Sequence, residues 1–219
     1  MILAWRDEPL YCHSVRVAGC LKRIVRALKL GLEDEAQAAG LLHDIGKADS
    51  GAQESLRGGR GVEGHEIISA VVANEVLKTL GLYSQKRFII VVAIMRHHQA
   101  MRHIDEAIRG ISGWFRGSLE DCGLKAIREI VNELSYESVA MGQINISWPK
   151  NKDDLRNRTI ELQEEFKNHY VEPGLYLKAR ALSGALMMTD TYIASLSRGG
   201  KPSSYGKEVN LFLRKLCDP

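Results

Sequence analysis

With 219 residues, 45% of them apolar, and a net charge of +3, the chain has material for a well-filled core and too mild a charge to mark a nucleic-acid binder on composition alone. Charge arrives at Arg6, which argues against a secretory signal peptide, and the longest uncharged apolar run, Phe88–Met95, is too short to cross a bilayer. The expectation is a cytoplasmic, all-α protein with residues 1–219 in one domain and no membrane partner.

Helical periodicity runs through most of the sequence. Residues 12–30 place Val15, Ala18, Leu21, Val25 and Leu28 at three- and four-residue steps. Residues 33–45 open on Glu33, Asp34 and Glu35, favourable at a helix N-terminus, and stop at Gly46. Residues 49–64 (DSGAQESLRGGRGVEG) hold five glycines, Arg57 and Arg60, and no apolar period, so they read as a mobile surface loop. Residues 65–80 form an amphipathic helix ending at Gly81. Residues 84–98 are apolar on most sides and read as a central buried helix, with a strand as the alternative because of the β-branched run. Two more helices are expected at 124–134 and 153–169, separated by a linker or extended piece at 141–152 that meets Pro149. Residues 175–196 read as a long central helix, and 207–216 close the chain.

The four cysteines (12, 20, 122 and 217) form no CxxC pair. Neither a zinc ribbon nor a disulfide framework is expected, and Cys12 and Cys20 read as buried thiols of the first helix. Basic residues gather at 86–116 (Lys86, Arg87, Arg96, Arg102, Arg109, Arg116) and again beyond 198. That distribution suits either a solvated face or a surface that follows a phosphate backbone.

The chemistry-bearing residues stand at helix ends. The stretch GLLHDIGKADSG (40–51) closes an apolar run with His43–Asp44 and adds Lys47 one turn later. A bare His–Asp pair arises by chance about once in every three chains of this composition, so the pair needs partners before it means anything. His13 begins the first helix, His65 begins the third, and His97–His98 end the fourth. Asp190 lies inside ALMMTDTYIASL, where a carboxylate is costly to bury unless it is paired or bound to metal. His103 and His169 have no evident role. Each remaining residue alone could be a satisfied helix-end side chain. Together they fall where a helical bundle could converge them, and bundle cores are common places for metal sites.

The ordered set His13, His43–Asp44 with Lys47, His65, His97–His98 and Asp190, carried by LLHDIGKA, GHEIISA and RHHQAM, resembles the HD superfamily of metal-dependent phosphohydrolases. Its order and spacing look closest to the HD nuclease of type I CRISPR interference, in the form of a separate subunit. The resemblance implies an all-α HD-type bundle with a bimetal site in its core cleft. His13, His43, Asp44 and Asp190 would hold one divalent ion, and Asp44 would bridge to a second held by His65, His97 and His98. Two such ions roughly 3.5–4 Å apart can clamp the attacking and leaving oxygens of a phosphodiester. Asp44 and Lys47 would be the catalytic pair, Lys47 neutralising a phosphate oxygen. The imidazole-rich shell favours Mn²⁺, Ni²⁺, Co²⁺ or Fe²⁺ over Mg²⁺. The implied substrate is single-stranded DNA or RNA, contacted by Arg57, Arg60, Arg96 and Arg102. The implied partners are a separate helicase subunit and a crRNA-guided surveillance complex. A phosphohydrolase of nucleotides or deoxynucleotide monophosphates is the alternative reading, and a non-catalytic metal-holding scaffold the third.

Overall fold

The apolar steps of the first segment build α1 (Leu10–Ala27), whose buried face carries Val17, Ala18, Leu21, Ile24 and Val25. The structure, a computed structural model, describes residues 1–98, 104–134, 146–197 and 207–217. Arg102 and His103 lie outside the described residues, as do Arg198, Lys201 and 141–145 of the expected linker. Among the described residues the fold is an all-α bundle of ten α-helices.

α2 (Glu33–Leu42) packs along α1, its acidic first turn facing the positive end of its own dipole. α4 (His65–Thr79) and α5 (Ser84–Arg96) pack together in the interior, and α5 also meets α2 and α9 (Pro173–Ser197). The run Phe88–Met95 is a helix buried on all sides, so length and neighbours decided against the strand alternative. Phe88 is fully buried against Phe166 and Tyr170, and a side chain so placed stabilises the fold by about 1.5–3 kcal/mol. α7 (Asp121–Asn132) and α8 (Lys152–Tyr170) cover the flanks.

Several elements depart from the sequence expectation. The first nine residues, to which the sequence assigned no element, form an antiparallel hairpin, β1 (Leu3–Trp5) with β2 (Glu8–Pro9). α2 ends at Leu42, and the chain then tightens into a 3-10 turn at Ile45–Ala48 rather than continuing to residue 45. The expected mobile loop at 49–64 is in its first half a helix, α3 (Ser50–Arg57). Its buried face is made of Gly51, Ala52, Gln53, Ser55 and Leu56, with Leu56 the one large apolar side chain among small and polar residues. Asp49 caps it and is fully buried, accepting hydrogen bonds from the backbone N–H groups of Gly51, Arg116, Gly117 and Ser118 and from the Trp148 indole. Gln53 accepts from Leu3 N and donates to the carbonyls of Leu3 and Lys47. Residues 49–57 are thus tied to the hairpin and to residues 116–118 instead of forming a mobile surface loop.

α6 (Ile104–Gly110) and a 3-10 turn at Ile111–Gly113 follow α5. The last helix, α10 (Lys207–Cys217), lies against α1. Cys217 is disulfide-bonded to the buried Cys20, and Arg23 donates to the carbonyls of Leu216 and Cys217. This corrects the reading of the cysteines: Cys20 is paired across 197 residues, a separation no local spacing reveals, and Cys12 is exposed. No described helix is long and apolar enough to cross a membrane.

Candidate metal centre

Five segments converge on one buried pocket of polar groups. α1 supplies His13, the turn after α2 supplies His43 and Asp44, α4 begins with His65, α5 is followed by His97 and His98, and α9 carries Asp190. Two glycines let the segments meet. A Cβ on Gly46 would stand 2.3 Å from the His65 carbonyl, so only glycine lets the 3-10 turn reach the start of α4. Gly64 holds φ +84° immediately before His65, a conformation that glycine adopts without strain.

The ligand-type atoms fall into two groups within 4.8 Å of one another: His13, His43, Asp44 and Asp190, and Asp44, His65, His97 and His98. Asp44 belongs to both. Its Oδ2 lies 3.5 Å from His13 Nε2 and 3.5 Å from His43 Nε2, and its Oδ1 lies 2.8 Å from His65 Nε2. Asp190 Oδ1 is 3.0 Å from His13 Nε2 and 3.7 Å from His43 Nε2, and its Oδ2 is 3.8 Å from His98 Nε2. His97 is fully buried, whereas the His98 side chain is 35% exposed and marks the solvent side.

A repeated device aims the imidazoles. His43 Nδ1 hydrogen-bonds the Gly40 carbonyl at 2.8 Å, His65 Nδ1 that of Val62 at 2.7 Å, and His97 Nδ1 that of Ile94 at 2.6 Å. A carbonyl only accepts, so each Nδ1 must carry the proton and each Nε2 presents a lone pair to the pocket. Those three Nε2 atoms and Asp44 Oδ1 are buried without a hydrogen-bond partner. Buried polar atoms are rarely left so, and converging lone pairs from imidazole and carboxylate suit a divalent cation.

The charge balance follows from the same geometry. Burial opposes ionisation of Asp44, yet the neighbouring His43, Lys47 and His65 hold it well below the usual carboxylate range. Burial likewise opposes charge on Asp190, and the hydrogen bond from His13 and the nearby His43 hold it low. Desolvation would lower His13, but its hydrogen bond to Asp190 and the Glu8 carboxylate beside its other nitrogen prevail and raise it to about 9. His97 is pushed well below its ordinary value by burial, then by His98 and His43. Burial and the adjacent His65 bring His98 to about 4.

Lys47 lies in the 3-10 turn with Nζ 2.6 Å from Asp44 Oδ2. The helical path does not continue past Gly46 as an α-helix, but the tighter turn still puts Lys47 on the Asp44 side. Arg96, just before His97, is half-buried, with an Nε that has no hydrogen-bond partner among the described residues. Arg57 ends α3, and Arg60 follows it; both are exposed. Two carboxylates near the centre escaped sequence reasoning. Glu8 Oε1 lies 3.3 Å from His13 Nδ1, and Glu66 Oε2 lies 3.8 Å from His65 Nδ1. Glu66, next to His65, could have been suspected; Glu8 reaches His13 only through the hairpin.

No curated protein matches the chain. Among solved structures, the CRISPR-associated Cas3 HD domain protein from Methanocaldococcus jannaschii is 23% identical, with a TM-score of 0.54 over 86% of this chain and 98% of that one. That likeness concerns the fold. The HD domain family matches residues 10–161, a stretch that holds six of the seven converging residues and leaves Asp190 to be placed by α9. The chain belongs to the HD domain family of metal-dependent hydrolases.

Proposed function

We propose that the protein is a cytoplasmic, metal-dependent nuclease that hydrolyses phosphodiester bonds of single-stranded DNA, and by the same chemistry single-stranded RNA, in CRISPR interference. The observation that carries this reading is the pair of ligand groups sharing Asp44. His13, His43, Asp44 and Asp190 would hold one divalent ion, and Asp44, His65, His97 and His98 a second. Such ions supply Lewis acidity toward phosphoryl oxygens and an acidified water. The protein groups do the rest. The backbone-anchored imidazoles keep their lone pairs on the pocket, and Asp44 sets the spacing of the two groups. Lys47 brings a positive charge beside the shared carboxylate, where a phosphate oxygen would sit.

The fold shared with a Cas3 HD domain protein supports a place beside a separate helicase subunit and a crRNA-guided surveillance complex. Arg57, Arg60, Arg96 and Arg102 are the candidate strand contacts. A bundle cleft admits a flexible strand more readily than a stiff duplex. The deciding experiment incubates Mn²⁺-loaded protein with labelled single strands, blunt duplex and free deoxynucleotide monophosphates, at low and high salt. We expect cutting of single strands that weakens with salt, duplex left intact, and loss of several orders of magnitude in Asp44→Ala with its helical signal retained. Turnover of the monophosphates alone, or undiminished cutting by Asp44→Ala, overturns the proposal.

A further inference from the structure

The ring of His13 is positioned differently from the other buried imidazoles. His43, His65 and His97 each use a backbone carbonyl three residues upstream. The Nδ1 of His13 instead faces a side chain, the carboxylate of Glu8, at 3.3 Å, an ion-pair contact whose N–H is not aligned as a hydrogen bond. Glu8 is 8% exposed by its side chain and lies in β2, the strand that leads into α1. It is itself held: Arg16 NH1, one turn beyond His13, reaches Glu8 Oε1 at 3.2 Å and also donates to the Ser197 hydroxyl at 3.2 Å. Ser197 ends α9, the helix that carries Asp190. Hairpin, α1 and α9 are therefore joined around one carboxylate directly behind one imidazole.

The two ligand groups also differ in charge. Asp44 and Asp190 both face the His13 group, whereas the other group has three imidazoles and only the shared Asp44. A carboxylate behind an imidazole strengthens its donor nitrogen and fixes its orientation, and the loss of such a partner commonly weakens metal affinity by about 10- to 100-fold.

We propose that Glu8 is a positioning residue of the centre: held by Arg16, it fixes the His13 ring behind Asp44 and Asp190 and makes their position the tighter of two unequal divalent-metal sites. This rests on the proposed metal-dependent reading and adds an order of filling to it. The His13 position fills first, and the position of His65, His97 and His98 fills at higher metal concentration.

The test is a titration of chelator-treated protein with Mn²⁺ and with Co²⁺, followed by calorimetry and by the visible absorption of bound Co²⁺. Wild type should give two separable steps. Glu8→Ala should weaken the tighter step about 10- to 100-fold, leave the weaker step within twofold, and alter the Co²⁺ spectrum of the first step. Glu8→Gln, whose amide oxygen keeps a polar contact beside Nδ1 without the charge, should recover part of that loss. His98→Ala should remove only the weaker step. Thermal melts of the chelator-treated variants report folding separately, and Glu8→Gln retains the side chain's shape should Glu8→Ala unfold. An unchanged tight step in Glu8→Ala, or equal weakening of both steps in a folded Glu8→Gln, overturns the inference. Absence of any binding in wild type instead overturns the metal-dependent reading itself.

Discussion

Lys47 and Asp44 form a 2.6 Å ion pair on the same carboxylate oxygen, Oδ2, that faces His13 and His43. The ammonium therefore stands close to one of the two positions framed for a cation. Its side chain is only 12% exposed, so the pair is shielded from solvent. Lys47→Met should separate two quantities that a general defect would move together. Metal affinity should rise a few-fold because a competing positive charge is gone, while the rate of strand cleavage at saturating metal should fall about 100-fold. Calorimetry and single-turnover kinetics check the two halves; a fall in both would assign Lys47 to holding the fold.

Arg57 and Arg60 sit at the end of α3 and just beyond it, exposed and carried by an anchored segment. If they hold a strand, they do so as fixed points on a surface. Replacing both with alanine should slow cleavage of long single strands several-fold and flatten its salt dependence, because two phosphate contacts are lost. Hydrolysis of a small chromogenic phosphodiester and metal content should stay within twofold. Parallel loss on the small ester would mean that the arginines support the centre itself.

Asp49 is a buried hub whose carboxylate satisfies backbone N–H groups of Gly51, Arg116, Gly117 and Ser118. Asp49→Ala strands those donors, at about 1–3 kcal/mol for each that water cannot reach. The expected loss is about 3 kcal/mol or more, read as the midpoint shift in urea unfolding. Asp49→Asn, which keeps one acceptor oxygen, should lose less. A shift below about 0.5 kcal/mol in Asp49→Ala would show that water replaces the carboxylate.

Glu165 of α8 lies among Asn74, Glu75 and Lys78 of α4 and Arg87 of α5. Burial resists its ionisation, but hydrogen bonds from Lys78, Arg87 and Asn74 prevail and keep its carboxyl below the usual value of 4.5. The folded state thus prefers the ionised form. The stabilisation is complete above about pH 4.5 and fades as pH falls through the lowered folded value. Glu165→Gln should melt about 2–4 °C below wild type from pH 8 to pH 5, with the gap closing at more acid pH. A gap that widens on acidification would contradict the assignment.

The helical architecture was legible because α1 buries apolar residues at helical spacing and α4, α5 and α9 are apolar over helix-length runs, with His43–Asp44, Gly81 and His97–His98 marking where α2, α4 and α5 stop. The convergence of the seven residues was legible only through their placement at helix ends together with a family pattern. Three features were not. α3 is short and its buried face holds Leu56 as the one large apolar residue among glycine, alanine, glutamine and serine, so the glycine-rich run around it read as a loop, although Asp49 before Ser50 is a capping signal. The Cys20–Cys217 pairing joins residues nearly the full chain apart. Glu8 belongs to a hairpin too short to show alternation, and its value comes from position alone.

The carbonyls behind His43, His65 and His97 belong to the main chain, and no point mutation can delete them. Their orienting role survives nearly any drift of the side chains at Gly40, Val62 and Ile94, provided the helix ends hold. Three of the buried imidazoles are in this sense insured against sequence divergence. The fourth relies on a side chain that a single codon change can remove, so His13 is the imidazole through which selection can retune the centre without rebuilding the bundle.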